Sequence, residues 1–254
     1  MKLEQPQAFR TIFFDAGLTL LYPHPSIPEI CLQVCQQSHV QVNLAQIRAQ
    51  METAEDYYFR QIRANRHTWA DERAINEFWI SYYMQILRPF VSTQNETQLH
   101  WLATEINEEF DKHTSWHIFP DVHSTLTTLR AHGYSLGIIS DWGISLAPIL
   151  RHHHLITYFD CLVISAATRS AKPSPQLYET ALQRTNAIPD YTLHIGDSYI
   201  NDILGARAIG ITPILLDRAQ RYTAHNIDCL VIHSLTDVLD LLEVEPLERE
   251  HQNT

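Results

Sequence analysis

Between Leu18 and His132 the chain has no glycine, and from Glu29 to Arg88 it has neither glycine nor proline. A stretch this long without the residues that break or bend helices reads as helix. The side-chain spacing agrees. Asn43 reads as an N-cap with Gln46 at the reciprocal capping-box position, and Leu44, Ile47, Met51, Tyr58 and Ile62 follow at intervals of three, four or seven. Asp71 reads as a second cap, followed by Ile75, Phe78, Trp79, Tyr82 and Ile86 before Pro89 stops the helix. Leu99, Leu102, Ile106 and Phe110 make a further apolar stripe. Residues 23–114 are therefore expected to form a small helical bundle. Tyr22-Pro-His-Pro-Ser-Ile-Pro28 and His113-Thr-Ser-Trp-His-Ile-Phe-Pro120 flank it as stiff, proline-bearing connections. They are expected to act as paired hinges, since a hinge need absorb only a few dihedral changes.

Outside the bundle the pattern changes. Ile12-Phe13-Phe14 is a short apolar run of high β-propensity, as in a strand buried on both faces, and it stops at Asp15 with Gly17 close behind. From Asp121 onward helix and strand alternate, with strands expected at Ser135–Ser140, Cys161–Ser165, Tyr191–Ile195, Pro213–Leu216 and Leu230–Ile232. Helices are expected around Val122–Leu129, after Gly143, over Pro175–Asn186 and over Ile200–Ile209. Single helices between strands mean a parallel sheet covered on both faces, an α/β, Rossmann-like core built from residues 1–22 and 115–254.

Charge narrows the function classes. Eighteen basic against 29 acidic residues give a formal net charge of −11, which disfavours nucleic-acid phosphates and anionic membrane surfaces as partners. The opening Met-Lys-Leu-Glu-Gln-Pro-Gln lacks the apolar core of a signal peptide. Cys31, Cys35, Cys161 and Cys229 read as buried free thiols, and a cytoplasmic setting is expected.

Polar residues gather where the strands end. Asp15 closes the first strand with Thr19 shortly after; Ser140-Asp141 closes Leu-Gly-Ile-Ile; Lys172 follows in Ala-Lys-Pro-Ser-Pro; and Asp197 closes Leu-His-Ile-Gly, with Asp202 five residues on. Taken singly, Thr19 and Ser140 read as turn caps, and Asp197 and Asp202 as helix caps. Lys172 is harder to dismiss, because the protein has only three lysines. Asp15 and Asp197 at adjacent strand ends would repel by about 4 kcal/mol at about 4 Å and an effective dielectric of about 20. A hard divalent cation relieves that repulsion, and a site of few carboxylates suits Mg²⁺.

Asp15-Ala-Gly-Leu-Thr19, Ser140, Lys172-Pro-Ser-Pro and Gly196-Asp-Ser-Tyr-Ile-Asn-Asp202 resemble the four ordered motifs of the haloacid dehalogenase superfamily. The helical insert resembles that family's cap domain. The resemblance implies a phosphatase of a small phosphorylated metabolite, in which Asp15 attacks phosphorus to form an aspartyl phosphate. It implies that Thr19, Ser140 and Lys172 hold the transferring group. It also implies that Asp15, Asp197, Asp202 and the backbone carbonyl of Gly17 hold Mg²⁺.

Phosphatases of this superfamily usually carry a second aspartate two residues after the nucleophile, as general acid and base. Here that residue is Gly17. The loss of an effect worth typically 10²–10⁴-fold implies a slow enzyme, or one restricted to good leaving groups. His24 is the nearest substitute acid. Alternative readings are a phosphate- or metabolite-binding protein on a retired scaffold, a 2-haloacid dehalogenase, which the intact Asp197 and Asp202 argue against, and phosphonate cleavage. The Arg151-His-His-His-Leu155 tract reads as a helix C-terminus rather than a metal site. Tyr57, Tyr58, Trp69, Trp79 and Tyr82 read as bundle core, one or two of them lining a substrate cavity. Arg60, Arg63 and Arg66 read first as a solvated face and second as a contact for an anionic substrate.

Overall fold

The computed structural model of the chain describes residues 2–64, 67–222 and 227–247, without the side chains of 62–64. Its frame is a six-stranded parallel sheet. The strands are β1 (Thr11–Phe14), β4 (Ser135–Ser140), β5 (Cys161–Ile164), β6 (Thr192–Gly196), β7 (Thr212–Leu216) and β8 (Leu230–Ile232), in the order β5-β4-β1-β6-β7-β8. β1 lies in the middle, with Phe14 level with Ile138 of β4 on one side and Ile195 of β6 on the other. Ile12, Phe13 and Phe14 are fully buried. Each contributes about 1.5–3 kcal/mol relative to exposure, which is why so short a strand holds the centre.

The alternation of a strand divides those residues between two cores. Ile12 and Phe14 join Leu136, Ile138, Leu193 and Ile195 on one face, packed against Leu126 and Leu129 of α5 (Val122–Ala131), Ile149 of α6 (Leu146–His152) and Val238 of α10 (Asp237–Leu241). Phe13 joins Ile139 and Val163 on the other, against Leu177 and Tyr178 of α8 (Pro175–Thr185) and Ala206 of α9 (Leu204–Arg207). The expected strand over Cys161–Ser165 ends one residue early, because Ser165 opens the single-turn helix α7 (Ser165–Thr168).

The insert forms four helices: α1 (Ile27–Gln37), α2 (Leu44–Ala64), α3 (Glu72–Leu87) and α4 (Glu96–Asp111). Their ends are fixed by the side chains the sequence offers. Asn43 and Gln46 exchange reciprocal bonds of 3.0 Å, and Asp71 accepts from the Ala74 amide at 3.0 Å. Cys31, Ile47, Ile86, Leu102 and Ile106 form a core of their own. All four cysteines are buried free thiols.

The proline-bearing connections contain a pair of strands that the sequence reading did not include. Leu21–Pro23 (β2) and Trp116–Ile118 (β3) pair antiparallel as a two-stranded ribbon, Tyr22 opposite His117, between the sheet and the helices. Prolines at 23 and 25 concealed the strand. At a ribbon's end or edge, however, a missing N–H costs no ladder bond.

Candidate active site

Open parallel sheets bind ligands past the carboxyl ends of their strands, where the strand order reverses. Here the reversal lies at β1. Asp15 stands one residue past its end, Ser140 is the last residue of β4, and Asp197 follows the last residue of β6. Between this edge and the helical insert lies a cavity of about 510 Å³ that Asp15, Gly17, Ser140, Asp141 and Asp197 help to line.

Asp15 is the pivot. Its Oδ1 accepts from Lys172 Nζ at 2.7 Å and from Ser140 Oγ at 3.2 Å. No hydrogen bond reaches Oδ2 among the described residues, so one oxygen is anchored and the other is left for chemistry. Burial raises the Asp15 carboxyl above its ordinary value; Lys172 opposes that shift and Asp202 adds to it.

Beneath Asp15 runs a chain of buried charges. Lys172, only 4% exposed, also donates to Asp202 Oδ1 at 2.6 Å. That oxygen receives His194 Nε2 at 2.9 Å, while Asp202 Oδ2 accepts the Ser198 amide at 3.0 Å. Burial alone would discharge the lysine, but Asp15 and Asp202 hold it well above its usual range. Burial likewise pushes Asp202 up, and Lys172 and His194 more than reverse it, leaving its carboxyl well below the carboxylate range. Burial lowers His194 against the opposing pull of Asp202, and its Nε2 is placed to donate to Asp202 Oδ1.

Three of the expected site residues lie outside the cavity lining. Asp202, expected among the metal ligands, has both oxygens engaged by Lys172, His194 and Ser198, and does not line the cavity. Thr19, expected to hold the transferring group, is fully buried outside the cavity lining with Oγ1 unpartnered, and its carbonyl accepts from Arg218 at 2.9 Å. Lys172 reaches the site from below Asp15 rather than from the cavity. The helix expected over Ile200–Ile209 opens as a π turn, Tyr199–Ile203, before α9. A π turn adds a residue to the helical ring, and this one carries Asp202 back under the strand end. Gly196 is required there, since a Cβ would lie 2.2 Å from the Asp202 carboxyl carbon.

The cavity wall can be compared with the donors a metal would need. Among the described residues no three His, Cys, Asp or Glu side chains are grouped to hold an ion. Two carboxylates, Asp15 and Asp197, remain with the Gly17 carbonyl. Burial first, and then repulsion from Asp15, pushes Asp197 up to about 7; its nearest cation is Arg221 at 3.6 Å. A carboxyl raised by burial and by a second carboxyl fits a water-retaining Mg²⁺ site, in which a small cation replaces the missing counter-charge.

A haloacid dehalogenase-like hydrolase profile matches residues 12–216, which span all four motif positions. The chain belongs to that family. A zebrafish (Danio rerio) haloacid dehalogenase-like hydrolase domain-containing protein 3 is 28% identical over 217 residues, covering 85% of this chain and 88% of that protein. Glyceraldehyde 3-phosphate phosphatase of Methanothermobacter thermautotrophicus is 33% identical over 135 residues, 49% of this chain and 58% of that enzyme. Among solved structures, the HAD-hydrolase YfnB of Bacillus subtilis, bound to magnesium, superposes with a TM-score of 0.74. It is 18% identical and covers 93% of this chain and 99% of that one, a likeness of fold. A Cβ on Gly17 would lie 3.2 Å from Trp142 Cζ3, so the indole fills the space beside the nucleophile. Trp142 in turn packs on Trp116, ring centroids 4.5 Å apart.

Several contributors escaped the sequence. His194 was legible as a histidine inside an otherwise apolar strand, and Tyr178 packs edge-on against it at 5.2 Å. Asp121 and Arg218 carried no local signal. Arg218 grips Asp121 through two bonds of 2.8 and 2.9 Å and lies 3.9 Å over the Phe119 ring. Together with its bond to the Thr19 carbonyl, this steadies the turn that carries Gly17. His24 packs against His117 at 4.5 Å and lies outside the cavity lining, so it offers no acid there. Arg151 and His152 occupy the last turn of α6 as expected, and His152 lies over His113 at 3.7 Å. Burial lowers His152, so Arg151 carries the charge that complements the dipole. Arg60 is exposed, whereas the Arg63 side chain and Arg66 lie outside the described residues.

Proposed function

We propose that the protein is a Mg²⁺-dependent phosphatase of a small phosphorylated metabolite that works through an aspartyl-phosphate intermediate. Residues 1–22 and 115–254 form the catalytic core and residues 23–114 a helical cap that closes on it. The observation that carries this reading is Asp15, whose one oxygen is pinned by Lys172 and Ser140 while the other is left unbonded beside a cavity that Asp197 rims. Phosphatase names among the relatives point the same way.

Asp15 Oδ2 attacks phosphorus, the bond from phosphorus to the ester oxygen breaks, and the leaving group takes the electron pair. Lys172 holds Asp15 in line and offsets charge on the transferring group, with Ser140 beside it. Asp202 and His194 position Lys172. Asp15, Asp197 and the Gly17 carbonyl would hold Mg²⁺, which when bound offsets repulsion between an anionic nucleophile and an anionic substrate. Water then attacks phosphorus, restoring the carboxylate and releasing phosphate. With glycine at position 17 and Trp142 over it, the position two residues after Asp15 carries no acid for either half-reaction, so turnover is slow.

Intact-mass analysis with Mg²⁺ and acetyl phosphate tests the reading. The expected result is a phosphoryl adduct that lingers on the wild type and is absent from Asp15→Asn. A phosphate-binding protein gives no adduct, and a dehalogenase instead releases halide from a 2-haloacid without added metal.

A further inference from the structure

We propose that the leaving group accepted by this cavity is a planar, uncharged aromatic alcohol, which makes aryl phosphates the substrate class. The inference rests on the phosphatase reading and deepens it.

Three observations converge. The first is shape and surface: nine of the 27 residues lining the cavity are aromatic, among them Tyr58, Trp79, Trp116 and Trp142. Phe59, 47% exposed, adds a ring accessible from solvent. Flat rings stack or meet edge-on with aromatic walls and gain beyond their buried area.

The second is charge. Among the described residues, five lining side chains are carboxyls, namely Asp15, Glu72, Asp111, Asp141 and Asp197, against one cation, Arg221. Arg221 is itself paired with Asp197 at 3.6 Å and 59% exposed. Lys172 is consumed below by Asp15 and Asp202. A leaving group bearing its own carboxylate therefore meets like charge, and among the described residues the wall offers it only Arg221, already paired with Asp197.

The third is the space beside the nucleophile. Trp142 fills the room next to Gly17, so position 17 offers no proton to a departing alkoxide. A phenolate needs no such help. The phosphorus–oxygen bond breaks, the electron pair rests on the phenolic oxygen and is delocalised into the ring, and the anion departs unprotonated. Water later supplies the oxygen that joins phosphorus and releases its proton to solvent.

Four of the five tryptophans, Trp69, Trp79, Trp116 and Trp142, line the cavity, so their fluorescence reports occupancy without turnover. With Mg²⁺, Asp15→Asn should bind phenyl phosphate about tenfold more tightly than phosphoglycolate, the effect of one good aromatic contact. Wild-type protein should cleave p-nitrophenyl phosphate at least about 100-fold faster than glyceraldehyde 3-phosphate, because only the latter needs a proton donor. Trp142→Ala should narrow the binding preference, and Phe59→Ala, at a solvent-exposed ring, gives the same test should the first variant misfold. Equal binding of the two ligands, or equal cleavage of aryl and alkyl esters, overturns the inference. If acetyl phosphate still labels Asp15 in that case, the phosphatase reading stands and only the substrate class falls. If nothing labels Asp15, both fall.

Discussion

The floor and the roof of the cavity are built on opposite principles. The floor is a buried polar line, Asp15–Lys172–Asp202–His194, in which each side chain is bonded to the next. The roof is a set of rings from the helical insert, with Asn76 and Asn107 joined at 3.1 Å among its few polar contacts. A charged line in low dielectric tolerates no slack, because a removed partner strands a buried charge. An aromatic wall holds its rings by contact area and adjusts to a new neighbour at small cost. The floor is thus suited to fixing the chemistry, and the roof to choosing what the chemistry acts on.

The contrast can be tested from its strongest point downward. Asp15→Asn should abolish the phosphoryl adduct altogether while leaving the fold intact, as read by mass and circular dichroism. Next, Asp202→Asn, which leaves Lys172 with one anion instead of two, should lose most activity and about 3–5 kcal/mol of stability in urea titration. A wild-type unfolding midpoint for this variant would mean that the floor is less tightly coupled than its geometry implies.

Gly17→Asp joins the two regions. Alone it crowds the Trp142 indole and should raise turnover little. Combined with Trp142→Ala it should raise p-nitrophenyl phosphate turnover by about 10²-fold, within the usual range for a restored general acid. A full gain from the single variant would show that the indole moves aside freely.

The smallest effect concerns the clamp beside the floor. Burial raises the Asp121 carboxyl, but Arg218, the Leu235 amide and Ser234 outweigh it, and its folded value lies below the ordinary one. A depressed carboxylate stabilises the fold above its unfolded pKa, and that contribution disappears as pH falls through the folded value. Asp121→Asn should therefore be less stable than wild type at pH 7, with the gap closing below about pH 4. A gap independent of pH would assign the clamp to packing alone.

The asymmetry between floor and roof also governs how much could be read in advance. Each strand that ends at the site announces itself locally, as an apolar run stopped by Asp15, Ser140 or Asp197, because a short strand buried on both faces must be apolar until it leaves the core. Helix caps at Asn43 and Asp71 were legible for a similar reason: the capping bond joins residues three apart. The ribbon of β2 and β3 was not, since its strands lie more than ninety residues apart and prolines mask one of them. Nor was the Arg218–Asp121 pair, which spans 97 residues.

The sequence by itself determined the parallel sheet, the helical insert, the family and the order in which charged residues arrive at the sheet's edge. These follow from periodicity and from neighbours a few residues away. Only the tertiary structure decided that Asp202 and Thr19 lie behind the cavity rather than in it, that Lys172 works from below, and that Trp142 fills the space Gly17 leaves open. Which side of a carboxylate meets a lysine, and which meets solvent, is set by elements that meet only once the whole chain has packed.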